Sequence, residues 1–149
     1  MHLEFTMAEN NQANHAQGML TGIMITLFAA LIGVLAYGSV FTLAHYMGKD
    51  FGQLQNTVFT VLSVIVAVVL AQLLSRGIQG NRLSFMQAFL SGWMASLILG
   101  MFINFFFTIF IQITKMPPLQ EGSFARMMML FSMLGIFTSL ILSLITKKN

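Results

Sequence analysis

Chemistry inside a bilayer usually shows as an ionisable side chain within an apolar segment, and this chain offers very few candidates. The best one is the connector running from Ser75 to Ser84, where Arg76 and Arg82 flank Gly77 and Gly80. Two guanidinium groups beside the amide-bearing start of a following helix could hold a phosphate, such as a lipid headgroup or a polyprenyl phosphate. A turn carrying two solvated arginines is the plainer account of the same residues. His15 and His45 are 30 positions apart, roughly 45 Å along a continuous helix, so one haem or metal ion cannot join them. His2 stands in a polar leading segment, and His45 reads as an interfacial histidine.

No Ser-His-Asp set, zinc spacing or phosphate-binding loop is present. Cysteine is absent, which removes disulfides, thiolate metal sites and a thiol nucleophile. None of the long apolar blocks holds Asp, Glu, Lys or Arg in its middle, so a proton-coupled exporter lacks its carboxylate. The expectation is a protein without catalytic residues, metal or cofactor: not an enzyme.

The elements that must carry these residues follow from where charge is missing. Charged residues make up 7% of the 149 positions and hydrophobic ones 57%, against about a quarter charged in a soluble domain. Charge-free blocks cover 39 residues between Glu9 and Lys49, 25 between Asp50 and Arg76, 32 between Arg82 and Lys115, and 20 between Arg126 and Lys147. A helix needs about 20 residues to cross a ~30 Å hydrocarbon layer, and each block is long enough. The fold expected is all-α, an integral membrane four-helix bundle with spans near 19–46, 54–75, 85–114 and 125–146, preceded by a polar N-terminal tail over 1–18. A β-barrel is excluded because segments such as Ser63 to Leu70 show no polar alternation.

Local signals agree with this division. Asp50 stands three residues before Gln53 and Ser84 three before Gln87, both patterns of a capping box. Ser123 precedes the fourth block in a similar way, while Pro117 and Pro118 end the third. Short links predict antiparallel packing of sequential helices. Seven basic residues give a net charge of +3, but they are scattered between apolar blocks; nucleic acid is not an expected partner. Placing both termini in the cytoplasm puts Arg76, Arg82, Lys147 and Lys148 inside, and Lys49, Lys115 and Arg126 outside. The positive-inside rule favours that orientation by one residue.

Helices in lipid associate through close packing of small residues and through interhelical hydrogen bonds. Ala88, Gly92, Ser96, Gly100, Asn104, Thr108 and Gln112 recur at every fourth position of the third block. Gly18, Gly22, Thr26, Ala30 and Gly38 form a weaker row in the first block. Ser63, Ala67, Ala71 and Ser75 mark the second, and Ser132, Gly135, Ser139 and Ser143 the fourth. Gly92, Ser96, Gly100, Asn104, Gly22 and Gly135 are the residues expected at helix packing or at a partner interface. Gln72, Asn104 and Gln112 are read as buried amides that need partners, Asn104 by an interhelical bond or, failing that, by lining a ligand cavity.

Arg82-Leu83-Ser84-Phe85-Met86-Gln87-Ala88-Phe89 followed by Gly92, with the polar, glycine-containing opening from Gly18 to Gly22, resembles a bacterial family of small four-span inner-membrane proteins classed as a domain of unknown function. The resemblance implies a four-helix membrane fold in a bacterial inner membrane. It brings no activity, cofactor or site residue. The expected function is that of a non-catalytic accessory or scaffold subunit, in contact with membrane lipid and with other integral membrane proteins or its own copies. The alternative is an oligomeric transporter that binds a lipid or small molecule and uses Arg76 and Arg82 for the headgroup.

Overall fold

The computed structural model describes residues 2–48, 53–78, 84–115 and 123–146, with side-chain surroundings for 18, 20–48, 57–78, 84–115 and 123–145. Four α-helices make up the described chain: α1 His2–Tyr46, α2 Gln53–Ile78, α3 Phe85–Thr114 and α4 Ser123–Thr146. Each contains a stretch long and apolar enough to cross a membrane, Leu20–Tyr46, Thr57–Ile78, Phe85–Thr114 and Ser123–Ile145. The chain is an all-α integral membrane protein.

Local sequence explains the start of α3. Ser84 caps α3 with its backbone extended; its hydroxyl accepts from the Gln87 amide, and the Gln87 side chain accepts from the Ser84 amide. This reciprocal pair satisfies two amides that a helix start leaves without partners. Lys115 closes the other end in the left-handed conformation, at φ 54°. Ser123 is the first residue of α4 itself. The Asp50 cap and Pro117–Pro118 lie outside the described residues.

The largest departure from the sequence reading is at the N-terminus. Residues 2–17 continue α1 upstream as helix instead of forming a separate tail. They contain no Pro or Gly, and Leu3, Glu4, Met7, Ala8, Glu9, Gln12, Ala13 and Ala16 are good helix formers. At 45 residues, α1 is about 68 Å long, roughly twice what the hydrocarbon layer requires.

Consecutive helices pack against each other, and α1 also meets α3 while α2 meets α4. Only α1 and α4 make no close approach among the described residues. The bundle is therefore a rhombus in cross-section, with α2 and α3 across its short diagonal. One core cluster joins Ala30 and Tyr37 of α1, Val64, Ala67 and Val68 of α2, Leu99, Ile103 and Phe107 of α3, and Phe131 of α4. The outside is oily. Met24 is 69% exposed, Phe137 67% and Ile145 73%. Continuous apolar exposure of this kind suits acyl chains and would drive association in water.

Candidate functional site

Small residues set how closely the helices approach. On α2 the row Ser63, Ala67, Ala71 and Ser75 is buried, joined by Val64, Val68 and Gln72. On α4 the buried row is Phe131, Gly135, Ser139 and Ser143, with Ser132 beside it and half-buried. On α3 the every-fourth row is buried from Ala88 through Asn104, after which Thr108 and Gln112 are exposed. Residues four apart advance by about 40° around an α-helix. Such a row must leave any straight contact after a few turns, and Ile103, Phe107 and Phe110 take over the interface.

The close approaches are specific. A Cβ added at Gly135 would meet the Ser96 Cβ at 2.5 Å, and one at Gly100 would meet Phe131 at 2.9 Å. At Gly92 it would meet the Ser139 hydroxyl at 2.5 Å, with Val68 and the Gln72 amide close behind. The structure thus brings Gly92, Ser96, Gly100 and Gly135 to the contacts of α3 with α4 and α2. It does not bring Gly22 to them: Gly22 is exposed, and an added Cβ there meets nothing within 4 Å. Two other glycines of α1 make close approaches: Gly38 of the expected row, where a Cβ would meet the Phe106 ring at 3.1 Å, and Gly33, where it would meet a Leu99 methyl at 2.9 Å. The signal for Gly33 was present in Ile25, Ala29, Gly33 and Tyr37, an every-fourth row that is buried throughout.

A buried polar seam crosses these contacts. The Gln72 Nε2, on a side chain only 2% exposed, lies 3.2 Å from the Ala88 carbonyl and 3.1 Å from the Ser143 hydroxyl. The Ser139 carbonyl and hydroxyl are at 3.3 and 3.4 Å. A carboxamide has two N–H donors for these four acceptors, so its bonds are shared. Ser139 in turn donates to the Phe89 carbonyl at 2.6 Å, and Ser96 to the Phe131 carbonyl at 2.6 Å. The Trp93 indole donates to Ser132 at 3.3 Å. These bonds tie α2, α3 and α4 together, and no fully buried polar side-chain atom among the described residues lacks a partner.

The other two amides depart from expectation. Asn104 is buried, but its Nδ2 donates to the Gly100 carbonyl of its own helix at 2.8 Å rather than across an interface. A short amide can reach the carbonyl one turn back, which satisfies it locally. Gln112 is exposed, carried outward by the drift described above.

Asn104 does line a cavity. A groove of about 610 Å³ runs over α3 where α1 and α4 stay apart, bounded by Leu27 of α1, Ile98, Met101, Phe102, Phe105 and Thr108 of α3, and Phe124 of α4. Its surface is almost wholly apolar. Arg76 is half-buried in the last turn of α2 and does not line this groove, and Arg82 lies outside the described residues. His45 packs edge-on against Phe110, with ring centroids 5.2 Å apart, as the end of an aromatic cluster with Tyr37, Phe41 and Phe107. Among the described residues no group of three His, Cys, Asp or Glu could hold a metal ion.

No family model, curated protein or solved structure matches this chain.

Proposed function

We propose that this chain is a non-catalytic accessory subunit of a larger membrane assembly, working by adhesion. One observation carries the reading. Gly18 and Gly22, a Gly-x-x-x-Gly pair, are exposed with open space where their Cβ atoms would be, whereas Gly92, Gly100 and Gly135 are filled by neighbours within the bundle. Exposed small residues four apart let another helix come close enough for backbone contact in lipid. The buried polar seam supports the same view, since Gln72, Trp93, Ser96 and Ser139 bond helix to helix.

The assembly is placed in a bacterial inner membrane with both termini cytoplasmic. This rests on the resemblance of the Arg82–Phe89 segment and on the one-residue excess of basic groups at that end. Purification from native membranes in mild detergent should recover the chain with fixed partners. Gly22→Leu should release them while the far-ultraviolet dichroism and melting of the bundle stay as they were. A monodisperse lone monomer from the wild-type chain would overturn the proposal.

The alternative of a lipid-binding transporter gains support from the apolar groove, not from the arginine connector, since Arg76 belongs to α2 and does not line it.

A further inference from the structure

The groove over α3 contains a buried carboxamide whose hydrogen-bonding capacity is only partly used. Asn104 lines the groove and is 5% exposed. Its Nδ2 donates to the Gly100 carbonyl at 2.8 Å, and the carboxamide makes no other hydrogen bond among the described residues. A carboxamide has two N–H donors and an accepting oxygen, so one N–H and Oδ1 are left over. No fully buried side-chain nitrogen or oxygen among the described residues lacks a partner. The unbonded Oδ1 therefore keeps accessible surface, and the cavity that Asn104 lines provides it. Thr108, the other polar residue of the lining, donates its hydroxyl to the Asn104 backbone carbonyl at 2.9 Å.

Depth narrows the choice of occupant. On α3, Phe85–Thr114, Asn104 stands between four and five residues past the midpoint, about 7 Å along the axis. A ~30 Å hydrocarbon layer reaches ~15 Å to either side of its centre. With α3 centred in it, the carboxamide lies about 8 Å beneath the edge. Phospholipid headgroups stay at that edge, and water is absent below it. A charged donor would be costly at this depth. The group that meets Oδ1 is therefore a neutral donor on a molecule that itself dissolves in hydrocarbon. Around it stand the rings of Phe102, Phe105 and Phe124 and the adaptable thioether of Met101. The volume of about 610 Å³ lies within the ~300–1,000 Å³ range of ligand sites.

From this geometry we infer that the groove binds a neutral, lipid-soluble alcohol or phenol, its hydroxyl on the Asn104 carboxamide and its apolar body against Phe102, Phe105 and Phe124. A hydroxyl both donates and accepts, so it suits Oδ1 and the remaining N–H alike. Gly18 and Gly22 do not line this groove, so the inference stands apart from the adhesion proposed above.

The test uses the full chain in lipid nanodiscs, with tritiated para-decylphenol as the probe and empty nanodiscs as the blank. The phenol is neutral at pH 7, since such a group ionises near about pH 10. Binding above the blank should saturate. Para-decylanisole, with a methyl ether in place of the hydroxyl, should compete roughly three- to tenfold less well than the unlabelled phenol, the worth of one hydrogen bond. Asn104→Leu removes the carboxamide at similar volume and should abolish that difference. Thr108→Phe, which fills the groove, should weaken binding of phenol and ether together, and it keeps the test if Asn104→Leu does not fold. Decanol separates the two sources of the hydroxyl: competition equal to the phenol's assigns an aliphatic alcohol, and weaker competition assigns a ring held by the phenyl walls. Absence of saturable binding, equal competition by phenol and ether, or a difference that survives Asn104→Leu would overturn the inference.

Discussion

Gly135→Ala adds one methyl group at the tightest point between α3 and α4. The new Cβ would lie 2.5 Å from the Ser96 Cβ, about 1 Å inside ordinary carbon contact. Neither atom can rotate away, because each is bonded directly to its backbone, so the helices themselves must separate. A shift of about 1 Å would stretch the Ser96 hydroxyl bond to the Phe131 carbonyl from 2.6 Å to beyond useful hydrogen-bond range. Such a bond is worth about 0.6 kcal/mol in a membrane protein, with ~1.7 at the upper end, and overpacking costs about 1–3 kcal/mol. Replacing Gly by Ala in a helix returns about 1 kcal/mol. The net expectation is destabilisation by about 1–3 kcal/mol. Reversible unfolding in mixed micelles, followed by the single Trp93 fluorophore and by helical dichroism, measures it. Gly22→Ala supplies the control, since the same methyl there meets open space and should leave stability equal or slightly raised. Ser96→Gly combined with Gly135→Ala should recover the packing part, giving a coupling energy in a double-mutant cycle. Stability of Gly135→Ala at or above wild type would refute the close-packing argument.

Other expectations follow from the same contacts. Gln72→Leu removes the amide that ties α2 to α3 and α4 and should cost about 1–2 kcal/mol, read by the same unfolding titration. Gly100→Leu should disturb the bundle itself by driving a side chain into Phe131, lowering the midpoint of unfolding whether or not a partner is bound. Gly33→Leu should act similarly through Leu99, whereas Gly22→Leu should alter only what co-purifies. Trp93→Ser132 contact should be reported by Ser132→Ala, which removes the indole's acceptor and should shift the Trp93 emission while leaving helical content unchanged.

Much of this molecule was legible without coordinates because the bilayer acts on local properties. Span length and charge exclusion depend only on consecutive residues, so four helices could be placed from their apolar blocks. The Ser84–Gln87 cap was equally local, being a bond between near neighbours in the chain. The small-residue rows on α2, α3 and α4 were visible for the same reason, since a helix turns through a known angle per residue. The row on α1 was half right: Thr26, Ala30 and Gly38 are buried, but composition cannot say which glycine meets a neighbour, and only packing sends Gly33 to Leu99 and Gly22 to open space.

The amino-acid order by itself determined the solvent, the number of crossings and which residues were small enough to allow contact. Tertiary structure decided which contacts are made. It set α1 and α4 apart across the long diagonal, leaving a groove that no single helix contains. It also gathered Gln72, Ala88, Ser139 and Ser143 from three helices into one seam. The physical reason is that helix periodicity fixes a residue's angle on its own axis, while the identity of its neighbour depends on how whole helices rotate and tilt to pack together.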